Sequence, residues 1–285
     1  MNKKVLIASD STTDLSIELI EKYGIKTVSL TVNLGDKAYT DGVDITPDMI
    51  YEHYEKHKEL PKTAAPNISD FSDFFAKYTE DGYSIVLFTI SSEMSSTFNN
   101  ARLAAEEFEN VYTVDTRNLS TGGGLVLIRA AEMAESGMSA EDIAAACREL
   151  TDRVDASFVI DDLEFLYKGG RCSALAAFGA NLLKLKPCIG VRNGKMGVIR
   201  KYRGRFDAVL EKYIKDRIGD GSDIELDHVF VTHAGCDSKI NEQCIELTKS
   251  LAPFKNVHFT RAGCTVSSHC GRNTLGVLFI RKSKI

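Results

Sequence analysis

The sequence predicts an α/β fold in two parts, on three observations. Up to about residue 135, short apolar runs of strand type alternate with segments of helical spacing. The joints between them are rich in hydroxyls, carboxylates and glycine. Beyond about residue 155 the order changes to strands, a hairpin and separate helices. Strict alternation implies a parallel sheet with helical crossovers. The expected organisation is an N-terminal parallel-sheet α/β/α domain over residues 1–155 and a C-terminal α+β domain over residues 156–285.

The elements follow in order. Val5–Ala8 reads as a buried strand, Leu15–Tyr23 as a helix ending at Gly24, and Thr27–Asn33 as an alternating strand. Thr46–His57 is helical, with Pro47 in the first turn, where a missing N–H costs nothing. The loop "KTAAPN" leads into a helix over Ser69–Tyr78. Ile85–Ile90 is a strand, followed by "SSEMSST" and a helix from about Asn99. Val111–Asp115, the loop "TRNLSTGGG" and a helix to about Ala134 complete the alternation, and a further helix begins at Ala140. In the second part, Ser157–Ile160 is a strand and "DDLEFLYKGGRCS" a helix broken at Gly169-Gly170. "VRNGKMGVIRKYRGR" is a hairpin turning at Asn193-Gly194. Helices over Phe206–Arg217 and Lys239–Leu251 and strands over Val229–Thr232, Val257–Thr260 and Leu275–Arg281 finish the unit.

Composition narrows the function. A chain of 285 residues with 44% hydrophobic and 26% charged residues is ordinary for a water-soluble globular protein. The first residues, "MNKKVLIASD", lack the apolar core of a signal peptide. The longest strongly apolar uncharged segment, Cys172–Leu183, is too short to span a bilayer. Seven cysteines without a paired pattern suit reduced thiols, so a cytoplasmic location is expected. The net charge of −5 argues against nucleic acid as a partner. Charge is uneven, however: Lys184–Arg205 holds eight cations and no acid. That window is either a solvated face or a meeting place for something acidic.

Most catalytic motifs are absent. No GxxxxGK[ST], GxGxxG or GxSxG occurs, and Gly122-Gly123-Gly124 reads more readily as a tight turn with close packing than as an anion cradle. "DSTTDL" lacks the second carboxylate of a DxDxT phosphotransfer motif, so Ser11–Asp14 reads as a cap for the helix at Leu15. Cys264, His269 and Cys270 do not have zinc spacing, and no metal is expected. Cys172 beside Arg171 is a weak candidate nucleophile. The segment Cys172–Leu183 reads as core, with room for an extended apolar ligand as the alternative. Against this background the hydroxyls of "ISSEMSST" and Thr63 of "TAAPN" are donors to a carboxylate or phosphate, or else helix caps.

Seven segments in order make the chain resemble the DegV family of bacterial fatty-acid-binding proteins. They are "DSTTDL", "TAAPN", "ISSEMSSTFNNA", "DTRNLSTGGG", "LEFLYKGGRCS", "LKPCIGVRNGKMG" and "GCTVSSHCG", and together they cover essentially the whole chain. The resemblance implies a carrier that encloses a long-chain fatty acid between two domains and performs no chemistry itself. It implies that Thr63, Ser95, Arg171 and His269 hold the carboxyl head, with Ser96, Thr97, Gly170 and Ser120 as neighbours. It implies, too, a separate fatty acid kinase subunit that phosphorylates the carboxylate for phospholipid synthesis, with no cofactor on the carrier. Departures from the family pattern sit near the head group: Ala64-Ala65 for Ser-Gln, Ser96 for Gly, and Arg272-Asn273 for Pro-Gly. Arg200, Lys201 and Arg203 are the expected docking residues for the kinase, or for a transient membrane surface.

The energetics suit such a ligand. About sixteen carbons buried at ~0.8 kcal/mol per CH₂ contribute on the order of 10 kcal/mol. Charge-assisted hydrogen bonds of roughly 1.5–3 kcal/mol each offset the cost of burying a carboxylate. Neutral donors would hold the head without quenching its nucleophilicity, whereas a tightly paired Lys would hinder phosphorylation. The competing reading is a hydrolase or transferase acting on a phosphate or acyl substrate with Asp10, Asp115 and the glycine loop.

Overall fold

The computed structural model describes residues 4–172 and 185–285. The first sheet is wholly parallel, in the order β2-β1-β6-β7. Its strands are β1 (Lys4–Asp10), β2 (Lys26–Val28), β6 (Tyr83–Thr89) and β7 (Val111–Asp115). β1 and β6 are apolar along almost their whole length because both of their faces are covered. A 3-10 turn, Ser11–Thr13, and α1 (Ile17–Lys22) lead from β1 to β2. α3 (Ile68–Glu80) and α4 (Thr97–Ala105) lie on one face, where Phe71, Phe75, Leu87 and Ala101 form a core.

Between β2 and β6 the chain departs from the sequence expectation. Thr27–Asn33 is not one strand: it breaks at Ser29-Leu30, and its second half becomes β3 (Thr31–Leu34). β3 pairs antiparallel with β4 (Lys37–Thr40) and β5 (Lys62–Ala64), on either side of α2 (Pro47–His57). The cause is the alternation that puts Val32 and Leu34 on one side, which turns that face of this small sheet onto Tyr51, Phe165 and Cys264. The loop "KTAAPN" therefore begins as a strand, with Thr63 opposite Val32. α3 starts with a capping box in which Asn67 and Asp70 satisfy one another's backbone N–H groups.

α5 (Thr121–Glu135) is buried on nearly all sides at its start, as its apolar sequence requires, and packs between β1 and the second sheet. Its three glycines allow that approach: a Cβ on Gly124 would stand 2.7 Å from Leu15 and 3.1 Å from the Thr13 carbonyl. α6 (Ala140–Thr151) closes the outer face, capped by Ser139. The second sheet runs β11-β10-β9-β14-β12-β13, with β8 (Val154–Asp155) against β14. These strands are β9 (Ser157–Ile160), β10 (Lys186–Arg192), β11 (Lys195–Tyr202), β12 (Ile224–Ala234), β13 (Asn256–Arg261) and β14 (Thr274–Arg281). The β10–β11 hairpin turns at Asn193 and Gly194, both at positive φ, as the dipeptide predicts. α8 (Phe206–Ile218) and α9 (Ser238–Leu251) pack on one face of this sheet. Two short helices, α7 (Glu164–Lys168) and α10 (Cys264–Cys270), bring the second part against the first. The apolar segment between Cys172 and Lys184 lies outside the described residues.

Candidate functional site

Two of the local expectations around β1 change with the structure in hand. Ser11–Asp14 does not cap the first helix; Ser16 does, accepting from the Leu19 N–H. Asp10 closes the 3-10 turn instead, accepting from the N–H and hydroxyl of Thr12 at 2.9 and 2.6 Å and from the Ile90 N–H at 2.7 Å. With no exposed surface and three donors, Asp10 has neither access nor a free oxygen for nucleophilic work. Asp115 is engaged as well, by Ser92 and the Arg117 N–H. Gly122, Gly123 and Gly124 are buried inside α5 rather than open to an anion, as close packing predicts.

What the fold does assemble is a cavity of about 640 Å³ between the strand-end loops of the first sheet and α10, lined by Thr63, Ser95, Arg171 and His269. Apolar walls come from Leu30, Ile90, Met94, Leu119, Leu166 and Val266. This size falls within the ~300–1,000 Å³ of small-molecule sites. Ser96 also lines it. Thr97 is buried behind Ser95, their hydroxyls 2.8 Å apart. Gly170 sits at φ 68° beside Arg171 and is not part of the wall. Ser120 also stands back from the cavity, donating to Asp14 at 2.5 Å.

Thr63 and His269, 206 residues apart, meet within the cavity: Thr63 Oγ1 lies 3.0 Å from His269 Nε2. Burial, aided by the nearby Arg171, pushes the His269 pKa down to about 4, so the ring is neutral near pH 7. If Nε2 carries the proton, His269 donates to Thr63 and leaves the threonine hydrogen free to point at a ligand. The back of the ring is held by Gly169, where a Cβ would come within 2.7 Å of Nδ1. Arg171 is the cation of the group; it is exposed, and its Nη1 donates to the Gly169 carbonyl at 2.9 Å. The arrangement offers neutral hydroxyl and imidazole groups with one guanidinium, beside an apolar enclosure.

Cys172 is buried with its Sγ 3.7 Å from the Met196 carbonyl oxygen. Burial pushes the thiols of Cys264 and Cys270 up to about 12. Among the described residues no three His, Cys, Asp or Glu side chains are grouped to hold a metal ion, and no helix is long and apolar enough to cross a membrane. The basic window is more neutral than its sequence implies. Lys186 pairs with Asp161, Arg192 approaches Asp155, Lys195 meets Glu93, Arg200 meets Asp216 and Arg205 meets Asp207. Lys201 and Arg203 are exposed on the same hairpin.

Sequence reasoning missed Thr265, Leu30 and Leu119 in the cavity wall. Thr265 had a signal, since it stands one helical turn before His269 on the same face of α10. Leu30 and Leu119 had none beyond being apolar residues in loops.

Residues 4–282 match the model described as "Uncharacterised protein, DegV family". A fatty acid-binding protein of Thermotoga maritima is 32% identical over 283 residues, covering 96% of each chain. The structure of a fatty-acid-binding DegV family protein from Thermus thermophilus superposes with a TM-score of 0.87 at 28% identity, covering 98% of this chain and 99% of that one. A stearic acid-binding protein from Eubacterium ventriosum gives 0.83 at 27% identity, covering 99% of both chains. The fold and cavity thus define an α/β protein of the kind that relatives use to bind fatty acids. The chain belongs to the DegV family.

Proposed function

We propose that this protein is a cytoplasmic carrier of a long-chain fatty acid, and that it presents the acid's carboxylate to a kinase subunit for acyl phosphate formation. One observation carries the reading: Thr63, Ser95, Arg171 and His269, drawn from four separate stretches of chain, line one cavity whose other walls are largely apolar. The Thr63 and Ser95 hydroxyls bind the carboxylate by hydrogen bonds, the neutral imidazole orients the Thr63 hydroxyl, and exposed Arg171 balances the charge from the edge. A carboxylate held in this way keeps an oxygen able to attack the terminal phosphate of ATP on the partner. The acyl phosphate then feeds phospholipid synthesis, with a membrane surface as transient source of the lipid. We assign docking of the kinase to the hairpin that bears Arg200, Lys201 and Arg203.

The test is denaturing solvent extraction of purified protein with mass spectrometry of the extract, before and after incubation with free fatty acids. Near-stoichiometric fatty acid is expected. An extract without lipid, even after loading, overturns the reading. The finer assignment is tested with the kinase subunit present. Thr63→Ala and Ser95→Ala should each cut acyl phosphate formation by about tenfold, the worth of ~1.4 kcal/mol, with the unfolding midpoint unchanged. Full activity in both variants would show that the head group binds elsewhere.

A further inference from the structure

α10, which carries His269, has no cap of its own. Its N-cap residue is Gly263, whose missing side chain leaves the first N–H groups of the helix without a local acceptor. They are satisfied from the other end of the chain. Asp14 Oδ1 accepts from the Gly263 N–H at 2.8 Å, and Asp41 accepts from the N–H groups of Cys264 at 3.0 Å and Thr265 at 3.3 Å. Both carboxylates are fixed in turn, Asp14 by the Ser120 hydroxyl at 2.5 Å and Asp41 by the Ser11 hydroxyl at 2.9 Å. Asp14 is held at φ 51°, an unusual backbone conformation for a residue with a side chain. A Cβ on Gly263 would come within 3.0 Å of Asp14 Oδ1, so the absence of a side chain there is what admits the carboxylate.

From these contacts we infer that Asp14 and Asp41 are positioning residues for ligand binding, setting the place of His269 by gripping the start of its helix. α10 is a single rigid element of 7 residues, so the placement of its first three N–H groups fixes the imidazole at its far end. The ring then fits between Gly169 behind it and Thr63 in front. A displaced helix start carries Nε2 away from Thr63 while the apolar walls contributed by other elements stay in place. Neither aspartate lines the cavity; Asp41 reaches it through α10 and, by way of Ser11, through Leu30, and an apolar ligand reports the second route separately. This inference rests on the fatty-acid reading, and the experiment separates the two.

Dissociation constants are measured for palmitate and for hexadecanol, the alcohol of the same chain length, on the full chain. Variants are Asp41→Asn, Asp14→Asn, His269→Ala and the double variant Asp41→Asn/His269→Ala. A positioning role predicts that Asp41→Asn weakens palmitate about tenfold and leaves hexadecanol within about twofold. It also predicts that the double variant is no weaker for palmitate than His269→Ala alone. Equal weakening of both ligands, or additive losses in the double variant, would mean that Asp41 supports only the fold. If Asp41→Asn does not fold, Asp14→Asn carries the same comparison, since it leaves the Asp41 contacts in place. Wild-type protein that binds palmitate, with a loss in His269→Ala but none in either aspartate variant, overturns this inference alone. Wild-type protein that binds neither ligand overturns the fatty-acid reading as well.

Discussion

Asp14 is a buried carboxyl whose protonation couples the stability of this fold to pH. Burial raises its pKa to about 8, and neighbouring Asp41 and Asp10 add to the rise. A carboxyl that binds its proton more tightly when folded loses stability as pH rises from its unfolded value, near 3.8, through the folded one. Asp10, raised to about 6 by burial, acts in the same direction over a narrower range. His233, His258 and His269 act oppositely: burial lowers each to about 4, so their contribution is complete above about 6.5 and is lost as pH falls toward 4. Between pH 7 and 8 these histidines are largely neutral in the folded and unfolded chain alike, and Asp14 sets the slope. The urea midpoint of the wild type should therefore fall across that interval, and Asp14→Asn should flatten it. A wild-type midpoint constant from pH 7 to 8 would remove Asp14 from this role.

At the scale of elements, close approaches make the sharpest predictions. Gly124 lets α5 touch the turn after β1, and Gly124→Ala should destabilise by about 1–3 kcal/mol as an overpacked contact. Gly169→Ala acts elsewhere: its methyl would press on His269 Nδ1 and on the Phe165 carbonyl. It should weaken fatty-acid binding more than it lowers the thermal midpoint, in a paired measurement of lipid affinity and melting. The same scale shows what was readable beforehand. Parallel alternation and the Asn193-Gly194 turn each follow from local chemistry, and each is present. The division of Thr27–Asn33 between two sheets was not readable, because an alternating run suits either sheet and the packing of Val32 and Leu34 with Tyr51 and Phe165 decides. The cavity was legible only through the resemblance to a family. Thr63 and His269 meet across 206 residues, and no spacing rule reaches that far. The role of Asp41 was hidden for the same reason: "YTDGVD" reads as a turn, while the donors it serves are 223 and 224 residues away.

Across the whole molecule, the second sheet is tied together by Asp155, which has no exposed surface and faces Arg217, Arg281 and Arg192. These cations come from α8, β14 and β10, so one carboxylate joins three elements to β8. Asp155→Ala should cost about 3–5 kcal/mol, since it takes the carboxylate from partly buried Arg217 and leaves Arg281 with Asp223 alone. Denaturant unfolding checks this, and a loss under 1 kcal/mol would show that the arginines find other acceptors. Strand order carries a different kind of consequence. β14 is the last described strand in sequence, yet it lies between β9 and β12 in the sheet. While the chain is emerging from a ribosome, β9 and β12 each wait with a bare edge for a strand not yet made. Until it arrives the sheet is two unjoined pieces, open to the wrong neighbours. The histidine helix immediately precedes that strand, so the α10 wall of the cavity and the strand that joins the second sheet are both made last.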